Sequence, residues 1–419
     1  MKLGAGTAVI SPKSWDKLTM SGMGRRIPTR GVLEDLALEV FVLQEKDETA
    51  VICVVDQLFI TEPVATNIGN RTRERLPHAH LILCADHIHS ATAVAVIAPG
   101  KDNLTSDGCA EALEIIYEGF SKALAQALQD VREVEVAAAR IPVPIKLGLN
   151  RRAKLGNGTC ITAWDNGALI PPGQKCAGKS SEDAKWIDVL AFREPGRTEP
   201  FAMLSSYPSH VHFYEVPYFA DEAAGAARRA MKKRYPNLTL MYALGCCGNI
   251  ALGSAHPIPK NDEESRIAWY QEKSNAFGEA FAGILSDALG ELSYAPVNQM
   301  SYTSHREPGT EREQDLQIET LRLGSHAICV IPGEIFIEFD ADLRRDKPSN
   351  SLLVMTYNRS FLGYVATSLG FEEGSYETMR GTAKETGYLS PTERVKSDLA
   401  TGDSIVAKAR EQLTALFPK

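Results

Sequence analysis

No apolar run in the 419 residues approaches the ~18 residues that a bilayer-spanning helix needs. Met1-Lys2-Leu3-Gly4 leaves no room for a signal h-region before the first strand, so a cytoplasmic protein is expected. There is no Lys/Arg-rich run, and the formal net charge is −8, which disfavours nucleic acid and anionic membrane surfaces as partners and leaves a small-molecule substrate. The eight cysteines include no C-x-x-C pair and no even framework of spacings, and Cys246 and Cys247 are adjacent, so a disulfide scaffold is excluded in favour of a reducing compartment. No Pro/Ser-rich linker, repeat or low-complexity tract marks a boundary, and a single domain over 1–419 is expected. Oligomeric state is not encoded legibly.

What is present is a mixture of two periodicities. Strand-like runs at about 36–43, 50–56, 79–84, 187–192, 201–206, 238–244, 316–323 and 326–331 alternate with helix-like runs at about 108–131, 220–234, 263–290 and 391–416. This predicts an α/β fold, a large mixed β-sheet with helices packed on its faces. The last run carries Val395, Leu399, Ile405, Val406, Ala409, Leu413 and Leu416 at amphipathic spacing, as a packed closing helix would. Residues 146–181, rich in Gly, Asn, Lys and Pro without clear periodicity, read as a long surface loop, either a lid or an insertion covering a sheet edge.

Chemistry concentrates at strand ends. Asp86-His87-Ile88-His89-Ser90 follows the apolar Leu81-Ile82-Leu83-Cys84. In an extended segment residues i and i+2 share a face, so His87 and His89 can serve one site as two ligands, or as ligand and proton carrier. His210 and His212 follow Phe201-Ala202-Met203-Leu204 in the same way, and Glu334 ends Cys329-Val330-Ile331-Pro332-Gly333. Such ends can converge where α/β proteins build their pockets. Two histidines and a glutamate are a usual ligand set for catalytic zinc.

These residues resemble, in order and nearly end to end, the catalytic domain of neutral (alkaline, non-lysosomal) ceramidases, zinc amidohydrolases that cleave N-acyl sphingosine. Ala5-Gly6-Thr7-Ala8-Val9-Ile10-Ser11-Pro12 is similar to the family's opening strand, and Gly22-Met23-Gly24 to its Met-Gly turn. His87-Ile88-His89-Ser90 matches its H-T-H-S motif, Asn150-Arg151 its N-R-S-P, and Tyr207-Pro208-Ser209-His210 its second zinc histidine. Asp221 to Gly225, Gly248-Asn249, Gly333-Glu334, Gly363-Tyr364-Val365-Ala366-Thr367 and Tyr376-Glu377 fit its remaining motifs. The resemblance implies that His87, His210, Glu334 and Tyr364 bind Zn2+, while His89, Arg151 and Tyr376 surround the scissile carbonyl.

A zinc ion so held lowers the pKa of its water to roughly 7. His89 could then carry the proton to the leaving amine, and Arg151 and Tyr376 could donate to the developing oxyanion, with no covalent intermediate. Departures from the family pattern bear on the substrate. Ala91-Thr92 replace its Gly-Pro, Val211-His212 its Pro-Thr, and Ala251 a serine, which excludes a serine nucleophile there. Asp86 stands where a small hydroxyl residue is usual, and with His212, Asn150 and Asn249 it belongs to the surroundings of the metal, or with His212 to a second ion. Lacking membrane-facing features, the chain is expected to hydrolyse an amide, or a related ester or lactone, of a mainly soluble substrate. Two alternatives stay open: a non-catalytic binding or structural protein that keeps the fold, and, ranked lower, a cysteine hydrolase using Cys246 or Cys247.

Overall fold

A computed structural model describes residues 1–16, 18–21, 27–94, 107–163, 175–213, 216–253, 262–307, 315–345, 349, 351–360, 362–378 and 401–417. The architecture is α/β with mixed sheets and helices on their faces, as expected. The strands are divided among three main sheets. The first holds β1 (Lys2–Val9), β2 (Ala37–Glu45), β3 (Glu48–Val55) and β4 (His80–Ala85), in the order β4-β3-β2-β1 with a short edge strand beyond β1. The second, in the order β8-β7-β6-β5 with its own short edge strand beyond β5, holds β5 (Glu135–Pro142), β6 (Trp186–Arg193), β7 (Ala202–Tyr207) and β8 (Thr239–Leu244). The third, in chain order, is β9 (Met300–Glu307), β10 (Leu316–Leu323), β11 (His326–Val330) and β12 (Ser351–Met355).

Each sheet is antiparallel except for one parallel pair at an edge: β3 with β4, β7 with β8, β11 with β12. A parallel pair needs a crossover, and helices supply the first two. The helix α1 (Glu62–Arg75) joins β3 to β4, and α3 (Glu222–Arg234) joins β7 to β8. Helix α2 (Asp107–Gln129) lies across β1 and β2, and α4 (Glu263–Leu289) packs on α3. The inner faces of all three sheets share one apolar cluster, to which Phe41, Ile52, Phe192, Leu204, Met241, Ile328 and Leu353 contribute. Phe41 and Phe192 meet edge to face at 6.2 Å across it. Strands buried on both faces read as continuous apolar runs, which is why β3, β4 and β8 were visible in the sequence.

The third sheet is covered outside by α5 (Gly402–Leu416), whose Ile405, Val406, Ala409 and Leu413 are buried as their spacing predicts. Thr401 begins it with a capping box on Ser404. Val395, Leu399 and Gly22-Met23-Gly24 lie outside the described residues. Where 146–181 was expected to be a loop, its described part forms short strands, Gly148–Asn150, Arg152–Leu155, Cys160–Thr162 and Cys176–Lys179. Pieces of three or four residues are too short to show alternation. No helix among the described residues is long and apolar enough to cross a membrane.

A carboxylate is buried against the inner core. Glu319 accepts from Tyr302 Oη at 2.9 Å and from Asn358 Nδ2 at 3.3 Å, and burial pushes it up to about 7. The folded chain therefore keeps a proton that the unfolded chain releases above about 4.5, so this group's contribution falls as pH rises from about 4.5 to about 7. Glu319→Gln should gain stability on the wild type across that window, by up to about 3 kcal/mol, in urea denaturation followed at several pH values. A difference that does not change with pH would refute the assignment.

Candidate metal centre

The C-terminal ends of the three parallel pairs meet. Ala85 N donates to Tyr357 O at 3.0 Å, and Thr356 N to Leu244 O at 2.9 Å, so the segment after β12 ties the exits of β4 and β8 together. After β4 the chain turns through His87 in the left-handed region (φ 61°), a strained conformation for a residue with a side chain. The motif is therefore a turn and not an extended segment, yet it still brings the two rings together: His87 and His89 meet edge to face at 4.8 Å, with their Nε2 atoms 3.3 Å apart.

His87 Nδ1 lies 2.8 Å from Leu58 O, and His210 Nδ1 lies 2.7 Å from Ile250 O. A carbonyl can only accept, so each Nδ1 carries the proton and each Nε2 presents a lone pair. Glu334 Oε2 sits 3.2 Å from His210 Nε2 and 4.0 Å from His87 Nε2. The three ligand atoms all lie within 4.8 Å of one another, and all three residues are buried. Burial is the largest cause that pushes both imidazoles down to about 3, so they are neutral at pH 7, as ligands must be. This donor set fits a divalent ion that accepts nitrogen and oxygen.

Two glycines make the approach of Glu334 possible. Gly333 holds φ 81°, and a Cβ on Gly248 would lie 2.2 Å from Glu334 O. Tyr364 is the register partner of Glu334 in a short parallel bridge. Its Oη accepts from Arg151 Nη2 at 2.9 Å, and the same Nη2 donates to Gly248 O at 2.9 Å. Arg151 Nε pairs with Glu377 at 2.9 Å, and Arg152 pairs with both Glu377 and Glu373. Burial opposes the charge on Glu377, but the two guanidiniums hold it below the usual carboxylate range. Tyr376 packs edge to face on Tyr364 at 5.7 Å. Arg151 thus stands beside the site with much of its hydrogen-bonding capacity used in holding Tyr364 and the turn at Gly248.

The other expected neighbours divide. His212 stacks on His89 (4.2 Å, 13°), and Nδ1 of each ring has no hydrogen-bond partner among the described residues. Asp86 turns away from the metal cluster toward Arg228, at 3.6 Å, in a buried group with Asp56 and Glu39. Asn150 bonds Ser181 and Asp183, and Asn249 clamps Ile337 N and Glu338, so both organise backbone. Cys246 is buried beneath the third sheet. Burial pushes Cys247 up to about 12, with its Sγ 3.9 Å from Tyr357 Oη, so it lacks the thiolate that a cysteine hydrolase needs.

Three participants were given no role by the sequence reading, although two of them lie inside motifs it quotes. Tyr357, at φ 55°, lies against the His87 ring at 4.2 Å, and nothing local marks it. Glu222, at φ 48°, accepts from His89 N at 3.3 Å and from Ser90 N at 3.0 Å, fixing the loop that carries His89. Its position beside Asp221 was the available signal. Glu377, adjacent to Tyr376, was another.

Among solved structures, the chain superposes on neutral ceramidase from Pseudomonas aeruginosa with TM-score 0.73 at 13% identity, covering 99% of this chain and 74% of that one. A structure described as ceramidase complexed with C2 gives TM-score 0.72 at 12% identity, covering 99% and 74%. No protein-family model and no curated protein matches the sequence. The fold is that of the neutral ceramidases.

His212 is also pushed down to about 3 by burial, so it enters the fold neutral and the unfolded chain binds its proton below 6.5. Its contribution is present above 6.5 and lost as pH falls toward 3. In chelator-treated protein, His212→Gln should flatten the acid loss of stability by up to about 1.4 kcal/mol per pH unit in urea denaturation. An unchanged slope would show that this imidazole is charged in the fold.

Proposed function

We propose that the chain is a metal-dependent hydrolase acting on an amide, or a related ester or lactone, of a mainly soluble small molecule. The observation that carries this reading is the convergence of His87 Nε2, His210 Nε2 and Glu334 Oε2 with both Nδ1 atoms already engaged. A divalent ion held there, zinc in our reading, with Tyr364 beside it, supplies Lewis acidity and a water of lowered pKa. His89 is the proton carrier: its Nε2 lies 3.3 Å from that of His87, and Glu222 fixes its backbone. It receives the proton of the attacking water and delivers it to the leaving nitrogen or oxygen as the single bond between that atom and the carbonyl carbon breaks. Tyr376 is the hydrogen-bond donor to the carbonyl oxygen, and Arg151 holds Tyr364 in place. A polar substrate is favoured by the net charge of −8 and by His212, an imidazole at the stack on His89 that could meet a polar group.

Metal content should be near one zinc per chain when the protein is purified without added metal, and a chelator should abolish turnover on a panel of N-acyl amines, N-acyl sugars, esters and lactones. His87→Ala, His210→Ala and Glu334→Ala should each lose both metal and turnover. Full activity in a metal-free variant would sink the proposal, and stoichiometric metal without turnover of any panel member would favour a non-catalytic binding protein. Tyr376→Phe should keep the metal and lower kcat by about 10²–10³ with little change in KM. A wild-type kcat in that variant would remove Tyr376 from the reaction.

A further inference from the structure

A second concave surface lies at the other end of β4. It is a groove of about 540 Å³ whose lining includes Arg73, His78, His80, Tyr302, Arg306 and Arg359. His80 begins β4 and His87 follows its end, so at ~3.3 Å per residue the groove and the metal centre stand roughly 20 Å apart. Three guanidiniums around one groove run against the chain's net charge of −8.

Their charges are unequally compensated. Arg306 pairs with Asp315. Arg73 donates only to the neutral amide of Asn70, and Arg359 makes no hydrogen bond or ion pair among the described residues. Glu62 is the carboxylate in the lining, bonded to Thr66 at 2.8 Å. Glu319 reaches Arg359 only electrostatically, from a buried position where it is already bonded to Tyr302 and Asn358. The His80 ring, 3.1 Å from Glu48, lies stacked on Tyr302 at 4.3 Å and 17°, which gives the groove a flat aromatic wall.

We propose that this groove binds a small oxyanion, a phosphate or carboxylate group of a metabolite, between Arg73 and Arg359. A guanidinium fork matches the two oxygens of such a group. An arginine with no partner at the wall of a concave surface is already placed for that contact, and the His80–Tyr302 stack offers a face to a planar portion of the same ligand. The groove is independent of the hydrolytic reading, because none of its lining residues belongs to the metal centre.

Inorganic phosphate titrated into the full-length protein by isothermal calorimetry at constant ionic strength is the test. One saturable site per chain is expected. Arg359→Gln and Arg73→Gln should each weaken it by at least about tenfold. Lys122→Gln, on the outer face of α2, removes the same charge elsewhere and should leave the affinity unchanged. Absence of a saturable site, undiminished affinity in both arginine variants, or an equal loss in Lys122→Gln would overturn the proposal.

Discussion

Two hydrogen bonds from imidazole Nδ1 to backbone carbonyls, at Leu58 and Ile250, set the chemistry of the centre. Each fixes a tautomer and a ring direction at once, so two lone pairs point at one place before any ion arrives. The carbonyls come from elements remote in sequence: Leu58 leaves β3, the neighbour of β4, and Ile250 follows β8, the neighbour of β7. In both cases the partner strand of a parallel pair orients the histidine that its companion carries. A site built this way depends on strand register, because a slip of one residue would reverse every side chain of the pair.

The charge around the centre is arranged asymmetrically. On the Tyr364 side, Arg151 and Arg152 are buried with Glu377 and Glu373, and Lys154 reaches Glu373 from outside at 2.8 Å. Each ion there is paired and hydrogen-bonded, the condition under which a buried network holds a geometry rather than weakening the fold. Beneath His87 the balance reverses: Glu39, Asp56 and Asp86 share Arg228, and burial pushes Glu39 up to about 8 and Asp86 well above its ordinary value. One guanidinium cannot neutralise three carboxylates, and protonation makes up the difference. Asp86 thus answers to the core below it, although it is covalently next to His87 of the candidate metal centre.

The histidines, Glu334 and most of the strands were legible because doubly buried strands are continuous in apolar residues and their ends stand out as polar punctuation. Tyr364 and Arg151 were reachable only through the ordered set of family motifs, since an aromatic or a basic residue in isolation has no address. Beyond reach were the division into three sheets, the strands β5, β9 and β12, and the helix α1. Strand β5, Glu-Val-Ala-Ala-Ala-Arg-Ile-Pro, and helix α1, interrupted by polar residues, carry weak periodicity and are set by the surfaces they cover. Tyr357 was invisible for another reason: its importance is a contact with His87 made by a residue 270 positions away, in a backbone conformation that no side-chain pattern announces.

Of the five residues other than glycine that hold left-handed backbone among the described residues, Lys46 stands apart in the hairpin turn between β2 and β3, while His87, Glu222, Tyr357 and Ser375 belong to the surroundings of the candidate centre. His87 is a proposed ligand, Glu222 fixes the backbone of His89, Tyr357 lies on the His87 ring, and Ser375 precedes Tyr376. A conformation of this kind costs of order 1–3 kcal/mol at a residue other than glycine, and it persists only where the surroundings over-determine it. Here the surroundings are three sheets meeting at one seam, where chain leaving a strand of one sheet must at once meet the exits of the other two. The seam enforces the turns, and the turns aim the side chains. The departures of this chain from the motifs it resembles lie beside that seam, Ala91-Thr92 and Val211-His212 in irregular chain and Ala251 in the short strand Ile250–Leu252, and not in the strands of the three main sheets, so side chains around the centre can differ while the geometry at the three strand ends stays fixed.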